Sequence, residues 1–233
     1  MLLASCGGGG EGDVVQVFAA ASMTDAVSRL ARQFESTTGT KVSTSFGASS
    51  TLARQIADGA PGQVFVSANQ SWVEYLADNG LLHEAPVVIA GNELVCIVPR
   101  NSTLTFASLQ ELAAAPPSLI AIADDGVPAG EYARQALKNA GYLNTLKPRL
   151  VGQKDARAVV TAVQTGNAAA GFVYLTDARL FADTVGVAFT VDRALHDPIA
   201  YYAALLSNSK NARAFFLFLQ SQQARAELAK LGF

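Results

Sequence analysis

The chain has 233 residues with 19 acidic and 17 basic side chains, a formal net charge of −2, and its Lys and Arg residues are scattered, which argues against a nucleic-acid-binding surface. Half of the residues are hydrophobic and 15% are charged, enough apolar material for one large or two moderate cores. No stretch reaches the ~18 consecutive apolar residues that a bilayer crossing requires.

At the N-terminus, Leu3-Ala4-Ser5-Cys6 matches the lipobox that ends a bacterial lipoprotein signal peptide, and the Gly-rich run GGGGEGD follows it as a flexible linker. Cys6 is therefore expected to be acylated and to tether the chain; a chance LASC is the plain alternative. The basic segment and most of the apolar segment of such a peptide are missing, so the start is expected to be truncated or misassigned. The second cysteine, Cys96, lies in the apolar run LVCIVP and reads as a reduced core residue.

From Val14 the pattern alternates strand and helix, the grammar of an α/β fold. Val14, Val15, Val17 and Phe18 predict a buried parallel strand, and Val27, Leu30, Ala31 and Phe34 recur at helical spacing, so the period changes at Ala20 to Ser22. That change predicts Ser22 at a helix N-cap, with Asp25 completing an S-x-x-D capping box. The same junction is also an anion cradle, because a helix start leaves about four N–H groups free and carries partial positive charge. Lys41 to Phe46 predicts a second strand and Ser50 to Asp58 a helix, with Gly47-Ala48-Ser49-Ser50 between them repeating the small, hydroxylated junction. Gln63 to Ala68 predicts a third strand, and Gln70 to Asn79 a helix with Trp72, Val73 and Leu76 inward.

Val87 to Pro99 is apolar with a Gly-Asn break and reads as the chain leaving one core for another, with a hinge near Gly91. Phe106 to Ala114 predicts a short helix and Leu119 to Ala123 a buried strand. Pro128 suits the first turn of the helix through Tyr132, Ala133, Ala136 and Leu137. Asp155 is placed as the cap of a helix with Ala158, Val159, Ala162 and Val163 inside. Ala170 to Tyr174 predicts a strand with Tyr174 at its C-terminal end, before a helix from Thr176-Asp177. Val185 to Val191 is a further strand, Pro198 to Leu206 reads as the return crossing and second hinge, and two helices follow within Ala212 to Leu231.

Four junctions, at Ser22, Ser49, Pro128-Ala129 and Asp155-Ala156, thus deliver helix N-termini to sheet edges, where α/β folds bind ligands. Hydroxyls, backbone N–H groups and the Tyr174 phenol are on offer, with Arg54 and Arg157 inside their helices rather than at the tips. A fully deprotonated tetrahedral oxyanion such as molybdate or sulfate needs only such donors. Enzyme chemistry is poorly supplied: His83 and His196 form no metal-ligand or nucleophile–base spacing, and Asp124-Asp125 reads as a solvated turn. No G-x-S-x-G, Walker or G-x-G-x-x-G element is present.

In chain order, AASMTDA, FGASSTLARQIADGAP, VFVSANQSWVEYL, VPAGEYARQAL, KDARAVVTAV and GFVYLTDA resemble the periplasmic molybdate-binding proteins of ABC transporters, over about Val14 to Phe233. The resemblance implies an α/β, two-lobed type II periplasmic-binding-protein fold, each lobe a mostly parallel sheet flanked by helices and joined by two hinge crossings. It divides the chain into a remnant and linker at 1–12, one lobe at 13–90 plus 200–233, and a second at 91–199. It implies oxyanion binding by the hydroxyls of Ser22, Ser49 and Tyr174 and the backbone amides of Ala129 and Ala156. Ala156 stands where larger aliphatic residues are common, which spares a backbone donor; Ala48 leaves open whether Ser49 or Ser50 faces inward. Also implied are an extracytoplasmic monomer that captures molybdate, and tungstate with it, for an ABC permease and its ATPase. It would have no cofactor and no direct ligands to the metal, and would be membrane-tethered through Cys6. The rival readings are a sulfate-type receptor and an enzyme acting on a small anion.

Overall fold

The computed structural model describes residues 14–233; Cys6 and its proposed acylation lie outside the described residues. Two five-stranded sheets organise the chain. The first contains β1 (Val14–Ala20), β2 (Lys41–Gly47), β3 (Val64–Ser67), β4 (Val87–Gly91) and β10 (Ala200–Leu205), in the order β2-β1-β3-β10-β4. The second contains β5 (Leu94–Pro99), β6 (Ile120–Ala123), β7 (Leu150–Gln153), β8 (Ala170–Tyr174) and β9 (Val185–Thr190), in the order β7-β6-β8-β5-β9.

Each sheet is mostly parallel with one reversed strand. β1 runs parallel to β2 and β3, while β10 is antiparallel to both β3 and β4. Likewise β6 runs parallel to β7 and β8, while β5 is antiparallel to β8 and β9. In both sheets the reversed strand is the first one laid down after the chain crosses over, through residues 92–93 and then 191–199.

Alternation along the strands builds a core on both faces of the first sheet. Val15, Val17, Ala19, Val64 and Val66 face one side, against α1 (Thr24–Thr38), α9 (Lys210–Leu219) and α10 (Gln222–Lys230). Phe18, Phe65 and Ala204 face the other, against Leu52, Ala53 and Ile56 of α2 (Ser49–Ala57) and Val73 and Leu76 of α3 (Ser71–Asp78). In α1, Val27, Leu30, Ala31 and Phe34 form the buried stripe that their spacing predicts. Each of Val27, Leu30 and Phe34 contributes about 1.5–3 kcal/mol on full burial.

The second sheet carries α4 (Leu109–Ala114), α5 (Pro128–Asn139), α6 (Leu143–Leu146), α7 (Ala156–Gln164) and α8 (Leu175–Leu180). Gly171 on β8 lets α7 lie close: a Cβ there would stand 2.8 Å from Val159 and 2.9 Å from Val163. Cys96 is a free, fully buried thiol, and burial pushes its pKa up to about 12, so it stays protonated. Among the described residues no helix is long and apolar enough to cross a membrane.

Candidate functional site: a donor-lined cavity between the lobes

The C-terminal edges of the two sheets face each other, and a small cavity lies between them. Ser22, Ser49, Ala129, Ala156 and Tyr174 all line it. Ser50, just as buried as Ser49, does not.

Ser22 is not a helix cap, contrary to the expectation from periodicity. β1 passes into a short 3-10 turn, Ala21–Met23, whose N-cap is Ala20; α1 then starts from Met23, and neither cap uses a side chain. The Ser22 Oγ accepts a hydrogen bond from Tyr201 Oη at 3.0 Å. Asp25, the other half of the expected box, turns outward to the Arg157 guanidinium, 2.7 Å away. The extra turn explains both outcomes, since it places Ser22 ahead of the first α-helical turn and rotates it into the space between lobes.

Ser49 occupies the first position of α2, where Ala48 is the N-cap. Its Oγ accepts from the Ala68 N–H at 3.0 Å. A hydroxyl has one donor and two acceptor sites, so with an acceptor site engaged the Ser49 proton remains for the cavity. Tyr174 is 1% exposed, and its Oη is a buried polar atom with no hydrogen-bond partner. Burial pushes the phenol well above its ordinary pKa, so Tyr174 is a neutral donor at any physiological pH.

The other lobe contributes helix starts. Pro128 opens α5 without an N–H of its own, and Ala129 follows in the first turn; Ala156 is the first residue of α7. These amides precede the reach of intrahelical carbonyls, and the helix dipoles add positive potential. Asp155 caps α7 as its sequence position predicts, its carboxylate accepting from Ala158 N–H at 2.8 Å. Gly130 permits the close approach of α5: a Cβ there would lie 2.1 Å from the Ala123 carbonyl oxygen.

The cavity volume is about 10 Å3. That is the scale of a water or a compact ion, far below the ~300–1,000 Å3 of organic-ligand pockets. Its rim is closed by contacts between lobes. Trp72 Nε1 donates to the Gly126 carbonyl at 2.8 Å, Asn69 Nδ2 to Glu131 Oε2 at 2.9 Å, and Asn92 Nδ2 to Tyr201 Oη at 3.2 Å. Arg157 reaches Asp25 of one lobe and, at 2.6 Å, the fully buried Asp177 of its own. The Arg157 guanidinium, next in sequence to Ala156, is thereby held by carboxyl groups of both lobes and does not line the cavity.

The histidines stand apart from the cavity. His83 is exposed. His196 is buried within a loop, with Nδ1 2.7 Å from the Asp197 carbonyl oxygen and its ring edge-on to Tyr132. Tyr201 and Asn92 lie outside the strand-to-helix junctions that periodicity points to. A tyrosine inside the apolar run PIAYYAALL was the available signal, since a buried phenol needs a partner.

Two α/β lobes closed over a small space lined by hydrogen-bond donors define a ligand-capturing binding protein. The family model for bacterial extracellular solute-binding proteins matches residues 15–233, and the chain belongs to that family. It is 36% identical over 228 residues to the molybdate-binding protein ModA of Haemophilus influenzae, covering 94% of this chain and 89% of that one. Its fold is shared with the Azotobacter vinelandii periplasmic molybdate-binding protein (TM-score 0.82, 24% identity, 94% and 97% coverage). It is shared equally with the sulfate-binding protein SubI of Mycobacterium tuberculosis (TM-score 0.83, 17% identity, 94% and 86% coverage). Its relatives are solute-binding components of transporters rather than enzymes.

Proposed function

We propose that this protein captures molybdate, and the isostructural tungstate, in the interlobe cavity and delivers it to an ABC permease at the outer face of the cytoplasmic membrane. The observation that carries the reading is the lining: Ser22, Ser49 and Tyr174, which bear hydroxyls, and Ala129 and Ala156, at helix starts, surround about 10 Å3, while Asp155, also in the lining, has its carboxylate engaged with Ala158. Ser22, Ser49, Ala129, Ala156 and Tyr174 are the ligand residues in this reading. The anion is held through its oxygens, by neutral donors that spare the cost of burying a counter-ion. Phosphate keeps a proton at neutral pH, which a shell rich in donors serves less well than a fully deprotonated oxyanion.

The lobe boundaries belong to the same reading: 13–90 plus 200–233 against 91–199, hinged near Gly91 and Pro198. Donors split between the lobes favour closure around the ligand. The LASC sequence supports a tether through acylated Cys6, which native mass spectrometry would reveal as a diacylglyceryl mass, and the chain acts as a monomer in this reading. Isothermal titration with molybdate, tungstate, sulfate and phosphate tests the function. Tight binding of the first two over sulfate and phosphate is expected. A chain that prefers sulfate, or binds none of the four, refutes the assignment.

A further inference from the structure

The Ser22 hydroxyl is the last member of a chain of hydrogen bonds that begins in the first crossing between the lobes. Asn92 lies in that crossing, and its Oδ1 accepts from the Glu93 backbone N–H at 2.9 Å. A backbone N–H can only donate, so this bond fixes which end of the Asn92 amide is oxygen. The Asn92 Nδ2 group then donates twice, to Thr176 Oγ1 of the second lobe at 2.9 Å and to Tyr201 Oη at 3.2 Å. Tyr201 is fully buried and sits on β10, the strand that returns from the second crossing. Because its oxygen accepts from Asn92, its single proton goes to Ser22 Oγ, 3.0 Å away. Ser22, accepting in turn, is left with its own proton directed at the cavity.

We propose that Asn92 and Tyr201 are positioning residues that orient the Ser22 hydroxyl as a donor to the bound anion and link that orientation to lobe closure. The inference rests on the oxyanion reading above. Every bond in the chain points the same way, from the Glu93 amide to the cavity, so each donor polarises the next toward the negative charge. Asn92 also holds both lobes at once, through Thr176 on one side and Tyr201 on the other. Opening that draws Asn92, held to the second lobe by Thr176, away from Tyr201 leaves the phenol oxygen without its donor, and the orientation of Ser22 is then no longer imposed. The donor array is completed only when the lobes are shut.

The test is a double-mutant cycle of Tyr201→Phe and Ser22→Ala, read as the dissociation constant for molybdate by calorimetry, with ligand-free melts to check folding. Tyr201→Phe alone is expected to weaken binding about tenfold, and Ser22→Ala by about ten- to a hundredfold. The double variant is expected to bind within about twofold of Ser22→Ala, because Tyr201 acts on the ligand only through Ser22. A merely structural Tyr201 gives losses that multiply, which overturns the proposal. Asn92→Ala, at a partly exposed position, repeats the cycle with Tyr201→Phe should a Ser22 variant fold poorly; multiplying losses there also overturn it. A parent chain that binds none of molybdate, tungstate, sulfate and phosphate refutes the oxyanion reading and the relay with it. A parent that binds while the losses multiply refutes the relay alone.

Discussion

Replacing Tyr174 by Phe separates binding from folding more cleanly than any other change in this molecule. The ring is buried at 1% exposure and stacks edge-on with Tyr201 at a centroid distance of 5.9 Å, so Phe retains the packing. What is lost is one hydroxyl that has no protein partner. Bound to a dianion, that hydroxyl makes a charge-assisted hydrogen bond of about 1.5–3 kcal/mol. Its removal is therefore expected to raise the molybdate dissociation constant about ten- to a hundred-and-fiftyfold. Without ligand the hydroxyl offers the folded state no hydrogen bond within the protein, so the melting temperature should stay level or rise, by up to ~4 °C. Calorimetric titration and ligand-free scanning calorimetry on the same preparations read both quantities. An affinity within about threefold of the parent, or a ligand-free melt that drops by several degrees, would show that the phenol serves the fold rather than the anion.

Ser49→Ala should lower both the affinity and the melting temperature, because it leaves the Ala68 N–H unsatisfied, at about 1–3 kcal/mol of stability, and removes a ligand donor; paired melts and titrations check this. Gly130→Ala should force α5 away from β6 and carry the Ala129 amide with it, costing about 1–3 kcal/mol and weakening binding, whereas Gly186→Ala, with open space around its Cβ, should be neutral in both assays. Ligand-free stability should fall as pH rises between about 4 and 7. Burial raises the Asp177 carboxyl from 3.8 to about 7, with Arg157 pulling the other way, so across that window the folded chain holds a proton the unfolded chain has lost. Melts of the parent and Asp177→Asn from pH 4 to 8 should show the slope reduced in the variant.

Local signals carried the strands and helices well, because burial on both faces leaves continuous apolar runs and one-sided burial leaves periodic ones. Val15 to Ala19 and the α1 stripe are legible for that reason. The cavity residues were legible as strand-to-helix junctions, although the hydroxyl of Ser22 was assigned to the wrong partner. A 3-10 turn of three residues has no period to detect, and it moved Ser22 off the cap. Partnerships over long sequence distance left no trace either. Arg157 reads as a helix surface residue, yet it joins Asp25 and Asp177 from separate lobes. The reversal of β5 and β10 is likewise invisible locally, since a strand's hydrophobic pattern is the same read in either direction.

The position of Trp72 makes the protein its own optical reporter. It is the chain's single tryptophan. Its indole N–H is bonded to Gly126 across the lobe border, and the Arg54 guanidinium lies 4.7 Å from its ring centroid. Separation of the lobes exchanges the Gly126 carbonyl for water and rehydrates one face of the indole, while the arginine, on the same lobe, travels with it. Intrinsic emission therefore follows closure without an attached dye, from a single site whose change in environment is known in advance.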